Sequence, residues 1–81
     1  MKHYAIILDW ASDGERDVAT KAVTHTIEEA KALFAEFVCD EKNIANENNY
    51  YVEEDTDCEF YAFEMGWEAV EHTRMYIQEV E

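Results

Sequence analysis

The sequence predicts an α+β fold, with one long helix packed on an antiparallel sheet of four or five strands in the order β-β-α-β-β(-β). Three observations support this. Residues 26–49 place apolar residues at helical spacing behind a capping signal. The segments on either side carry β-branched and aromatic residues in short runs. The chain has 81 residues, 48% of them hydrophobic, which suits a single domain over residues 1–81 with a small core. A helix on one side of an antiparallel sheet is a stable two-layer arrangement for such a chain.

His3 to Trp10 reads as the first strand, because Ile6, Ile7 and Leu8 favour a pleated backbone. Alternation puts Tyr4, Ile6, Leu8 and Trp10 on one side and Ala5, Ile7 and Asp9 on the other. The nearly continuous apolar run suggests an internal strand covered on both sides. Ser12-Asp13-Gly14-Glu15 is a turn. Val18 to His25 is a weaker return strand, with Val18, Thr20, Ala22 and Thr24 as its regular set.

Thr26-Ile27-Glu28-Glu29 fits a capping box, in which the threonine hydroxyl takes a backbone N–H and Glu29 reaches back. Ile27, Ala30, Leu33, Phe34, Phe37, Val38, Ile44 and Ala45 then form one apolar stripe. Asn46, Asn48 and Asn49 mark the helix end, since asparagine tolerates a left-handed exit.

Tyr50 to Phe63 reads as extended, in two pieces, Tyr50–Val52 and Cys58–Phe63, around an acidic middle. Gly66 is a turn candidate. Thr73 to Val80 reads as the last strand on its β-forming residues. Phe63, Trp67, Val70, Arg74 and Ile77 also fit a helical stripe, which leaves a helix over 64–81 as the alternative.

Charge narrows function more than any motif. Twenty acids face six bases, a formal net charge of −14. Residues 43–81 hold eleven of the acids and Arg74 alone among Lys and Arg. Such a surface repels nucleic acid and anionic lipid, which bind through cations, and attracts and steers basic partners. Direct nucleic-acid binding and membrane binding are therefore not expected. Cys39 and Cys58, widely spaced, read as free thiols of a reducing compartment. The apolar run at the amino end is short and broken by Asp9, so a cytoplasmic protein is expected.

Chemical motifs are missing from the sequence. His3, His25, His72, Cys39 and Cys58 have no zinc-ligand spacing. An EF-hand loop counted from Asp55 would need glycine at its sixth position and glutamate at its twelfth, where Phe60 and Gly66 stand. The only serine is Ser12, and Cys39 has mostly acidic neighbours, which do not favour its thiolate. No enzyme, metal or cofactor is expected.

The run Glu53-Glu54-Asp55-Thr56-Asp57-Cys58-Glu59 remains. If extended, it would line up Glu53, Asp55, Asp57 and Glu59 at a repeat of roughly 6.6 Å, similar to a row of phosphates. Glu64, Glu68 and Glu71 would extend that surface, and Tyr50, Tyr51, Phe60, Tyr61 and Trp67 would supply apolar anchors. The predicted partner-binding set is thus Glu53, Glu54, Asp55, Asp57, Glu59, Glu64, Glu68 and Glu71. The same run also fits a solvated face that keeps a small protein in solution.

The stretches Ile7-Leu8-Asp9-Trp10-Ala11-Ser12-Asp13-Gly14, His25-Thr26-Ile27-Glu28-Glu29-Ala30-Lys31 and Glu71-His72-Thr73-Arg74-Met75-Tyr76-Ile77 resemble small acidic proteins of phages and mobile elements of Gram-positive bacteria. In size and charge the chain also resembles anti-CRISPR proteins and related inhibitors that mimic DNA. The resemblance implies an inhibitor that binds a basic protein, such as a nucleic-acid-binding defence nuclease, by imitating nucleic-acid charge. The competing expectation is a small assembly module, a homodimer through a strand edge, with Thr73–Val80 as the candidate edge; monomer and homodimer both stay open.

Self-repulsion among so many carboxylates opposes the compact state, and salt screens it. Urea midpoints should therefore rise as sodium chloride is added. A midpoint that does not respond to salt would contradict this.

Overall fold

The structure is a computed structural model that describes residues 2–12, 14–64 and 71–80. The elements run β1 (His3–Ser12), β2 (Glu15–Thr24), α1 (Ile27–Glu47), β3 (Tyr51–Asp55), β4 (Glu59–Phe63) and β5 (His72–Val80). They form one antiparallel sheet in the order β2-β1-β5-β4-β3, with α1 against one face. This is the expected α+β class, in its five-strand form.

Gly14 turns β1 into β2 at φ +84°, a conformation that glycine adopts without strain, and Ser12 pairs with Glu15 across the turn. β1 is flanked by β2 and β5, as its apolar run implies. Ile6, on the side facing the helix, is fully buried, and Ala5 and Ile7 on the opposite side are nearly so.

Two register shifts change which side chains share a face. Ile6 pairs with Ala22 but Ile7 pairs with Thr20, so Lys21 is an extra residue in β2. The expected one-sided set Val18, Thr20, Ala22 and Thr24 is split as a result. Val18 and Thr20 lie on the face away from the helix, and Ala22 and Thr24 lie on the helix side. A similar shift occurs in β3, where Val52 pairs with Ala62 and Glu54 with Tyr61, leaving Glu53 extra. A one-residue insertion of this kind reverses the alternation beyond it.

β5 corrects a second expectation. The sequence offers Thr73–Val80 as an open edge, but the structure puts β5 in the centre of the sheet, bonded to β1 on one side and β4 on the other. Its composition accounts for this: Thr73 and Met75 are buried on the helix side, and Tyr76 is half-buried on the other. The edges are β2 and β3. His72–Val80 is strand, so the helical alternative fails over those residues; Gly66, Trp67 and Val70 lie outside the described residues.

Local chemistry fixes both ends of α1. The Thr26 hydroxyl accepts the Glu29 N–H at 3.1 Å and donates to the Glu29 carboxylate at 3.2 Å. At the other end Asn49 takes φ +59°. The Tyr50 N–H then bonds the Ala45 carbonyl at 2.8 Å, and the Asn49 N–H bonds that of Asn46 at 3.3 Å, which is the Schellman closure. Tyr50 also packs against the core.

Between these ends, Phe34, Val38 and Ala45 pack with Ile6, Phe60, Ala62 and Met75 into one core cluster. Ile44 departs from the expected stripe and is 45% exposed, because it sits at the stripe's edge beside an open cleft.

Replacing Thr26 by alanine removes the cap on the Glu29 N–H. The expected cost is about 1 kcal/mol, read as a lower urea midpoint at unchanged slope. An unaltered midpoint would show that the cap contributes nothing.

Candidate protein-interaction surface

The described acids of the 53–71 segment do not form one row. The bulge at Glu53 puts Glu54 beside Tyr61 on the helix-free face and turns Asp55 toward α1. β3 ends at Asp55, and Thr56 closes a tight turn by accepting the N–H groups of Cys58 and Glu59 at 3.3 and 3.0 Å. The expected acidic middle is therefore partly strand and partly turn, because pairing with β4 carries Glu54 and Asp55 into the sheet.

Several of these carboxylates already have partners. Asp55 pairs with Lys42 at 2.8 Å, Asp57 with Lys31 at 3.2 Å and Glu59 with Arg74 at 2.7 Å. Glu71 accepts from the Tyr50 hydroxyl at 2.9 Å and from Ser12 at 3.4 Å. Glu53 and Glu54 are exposed, Glu64 is half-buried, and Glu68 lies outside the described residues. Of the expected anchors, Phe60 is core, Tyr50 packs on the core, and Tyr51 and Tyr61 reach the surface; Trp67 is not among the described residues.

The helix holds an acidic row that the sequence reading passed over. Glu29, Glu36, Asp40 and Glu47 are all exposed. At 3.6 residues per turn, their spacings of seven, four and seven residues keep them within about 20° of one line, opposite Phe34 and Val38. Both lysines of α1 are absent from this line, because Lys31 and Lys42 lie three turns apart on the flank that faces Asp57 and Asp55. The signal was present in the sequence as the complement of the apolar stripe.

The helix-free face carries a second feature. Phe60 and Ala62 point into the core, so Tyr61 and Phe63 point away from it. Tyr51, Phe63, Tyr61 and His72 then form a chain of ring contacts across β3, β4 and β5, with centroids 5.5, 5.4 and 6.1 Å apart. His72 meets Asp9 of β1 at 3.4 Å. Beside this chain the Arg74 guanidinium lies 5.2 Å from the Tyr76 ring centre and donates twice to Glu59, at 3.1 and 2.7 Å. The hydrogen bond to Glu59 raises the pKa of Arg74, so its charge is secure.

An open cleft of about 420 Å³ lies between β1 and the end of α1, lined by Leu8, Trp10, Glu41, Ile44, Tyr50 and Glu71. Its polar groups bind one another: Thr73 donates to Glu41 at 3.1 Å, and Tyr50 and Ser12 donate to Glu71. Ser12 is therefore turned to a carboxylate instead of an imidazole. The rings of His3 and His25 are 5.1 Å apart, but among the described residues no three His, Cys, Asp or Glu side chains converge as a metal-ligand group. Cys39 and Cys58 are exposed free thiols. No helix of the described residues is long and apolar enough to cross a membrane. Comparison of the chain with protein-family models, curated proteins and solved structures gave no match.

Proposed function

We propose that this chain is an acidic protein-interaction module that occupies the cationic groove of a nucleic-acid-binding protein, as a phage or mobile-element inhibitor of a defence nuclease would. The observation that carries this is the line of Glu29, Glu36, Asp40 and Glu47 on the solvent side of a capped, packed helix. A rigid element holds these carboxylates with no side-chain entropy spent on neighbouring cations, since the helix lysines are tied to the sheet side.

The magnitudes favour competition by field over atom-for-atom replacement. The row spans about 27 Å at 1.5 Å per residue, in three intervals that average roughly 9 Å. A DNA strand carries one phosphate per about 3.4 Å of axial rise, so along its axis the row has little more than about a third of that density. Its contribution is long-range attraction and faster encounter with a basic groove, supported by the net charge of −14. Asp55, Asp57 and Glu59 contribute less than the sequence suggests, because each has a basic partner.

Capture from a bacterial lysate at low and high salt tests this. The chain should retain basic nucleic-acid-binding proteins at low salt and release them at high salt. The triple variant Glu36→Lys, Asp40→Lys, Glu47→Lys should lose them while keeping its circular dichroism. Equal retention by the folded variant would refute the proposal.

A strand-edge homodimer has one specific observation in its favour, and it concerns β2 instead of the final strand. β2 is an edge of ten residues in which Glu15 and Asp17 balance Arg16 and Lys21, and its Val18 and Val23 are 61% and 58% exposed. Light scattering should then show dimers that grow with concentration and salt and vanish in Val18→Lys. A monomer under all conditions removes the homodimer.

A further inference from the structure

We infer that the helix-free face of the sheet is a docking surface for an arginine-bearing segment of a basic protein, and that one arginine seats between Glu54 and Tyr61. This goes beyond the proposed charge imitation, which uses the outer side of α1 and makes no use of this face.

The first support is that the face carries an aromatic row whose outer end is open. Among the described residues α1 is the one helix and it lies on the other face; Tyr51 is 51% exposed, and Tyr61, Phe63 and His72 are half-buried. Tyrosine, phenylalanine and arginine are the side chains enriched where protein partners bind.

The second support is a template within the chain. Arg74 shows what this face does with a guanidinium: it lays the plane near a tyrosine ring and bonds it to a glutamate. Next to it is a seat with a second glutamate: Tyr61 faces Arg74 across β4 and β5 on one side and Glu54 across β3 and β4 on the other. Glu54 and Tyr61 are directly opposed across β3 and β4, so their side chains are neighbours on this face. They line a groove of about 380 Å³ with Glu53, Glu59, Asp9, His72 and Arg74. Arg74 is already committed to Glu59, and no ion pair to Glu53 or Glu54 is present among the described residues. A guanidinium suits such a seat better than an ammonium, because it is planar, stacks on an aromatic ring and presents paired donors to a carboxylate.

Charge selects the occupant. A second copy of the chain would bring another −14 to the face. Nucleic acid would add phosphates beside Glu53, Glu54 and Asp9 and find few cations to meet them. A basic polypeptide supplies a second cation and apolar stems to lie on the rings.

The test is a titration of the ¹⁵N-labelled full chain with the peptide acetyl-Gly-Arg-Gly-Arg-Gly-amide, followed by amide shifts. A peptide with citrulline in place of arginine serves as a neutral control of the same shape. Saturable shifts should centre on Tyr51, Glu54, Tyr61 and Arg74. The citrulline peptide should bind at least tenfold more weakly, as should arginine peptide with the double variant Glu53→Gln, Glu54→Gln. Both glutamates are exposed and without ion pairs among the described residues, so that variant should keep the wild-type spectrum elsewhere. The helix variant Glu36→Lys, Asp40→Lys, Glu47→Lys should leave these shifts in place. Shifts confined to residues 27–47 would overturn the docking face and leave the charge-imitation proposal standing. Equal binding of the citrulline peptide, or no saturable shift at all, would also overturn the inference.

Discussion

The contact of Phe34 and Val38 with the sheet floor of Ile6, Phe60 and Met75 is the interaction on which the rest of the molecule depends. Among the described residues there is one helix to cover five strands, and it closes one side of the sheet. Burying a phenylalanine or isoleucine side chain contributes on the order of 2 kcal/mol, and Ile6, Phe60 and Met75 have no exposed surface while Phe34 and Val38 are buried. The cluster draws on α1, β1, β4 and β5 together. Losing any one wall opens the core to water.

The charge layout follows from that packing. With the apolar stripe of α1 turned to the sheet, its lysines fall on the flank next to the β3–β4 turn, where they meet Asp55 and Asp57. These half-exposed ion pairs add little stability, no more than about 1 kcal/mol each. Their larger effect is on distribution, since they move positive charge off the outer side of the helix. Among the described residues no ion pair reaches the acids left there, and the surface becomes negative in a directed way. On the opposite side of the sheet, Arg74 and Glu59 neutralise each other and leave Glu53 and Glu54 uncompensated beside aromatic rings.

The helix was legible in the sequence because its signals are local. Thr26 and Glu29 are three residues apart, Asn49 follows directly, and the stripe repeats within a turn or two. The strands were legible as strands for the same reason. Their neighbours were not. Nothing near Thr73–Val80 states that β5 will lie between β1 and β4, which are distant in sequence, and so an edge was expected where the centre stands. The acidic run shows the limit most clearly. Alternation from Glu53 to Glu59 is right for an unbroken strand, but an inserted residue at Glu53 and a turn at Thr56 reverse it twice. A bulge depends on pairing with a partner strand, which the run itself does not encode. The aromatic chain needs the order β5-β4-β3 before its rings can meet, so it too was hidden.

The central position of β5 carries a consequence for how the chain is made. The β1–β2 hairpin and the β3–β4 hairpin share no ladder with each other; each is joined to the sheet only through β5. β5 is also the last of these elements to leave the ribosome. Until it emerges, Phe34, Ile6 and Phe60 have no common floor, and the pairing that unites them spans nearly the whole described chain, from His3 to Val80. Contacts so distant in sequence form slowly. The nascent sheet therefore remains open until β5 has emerged, and its dense negative charge keeps neighbouring copies apart during that wait.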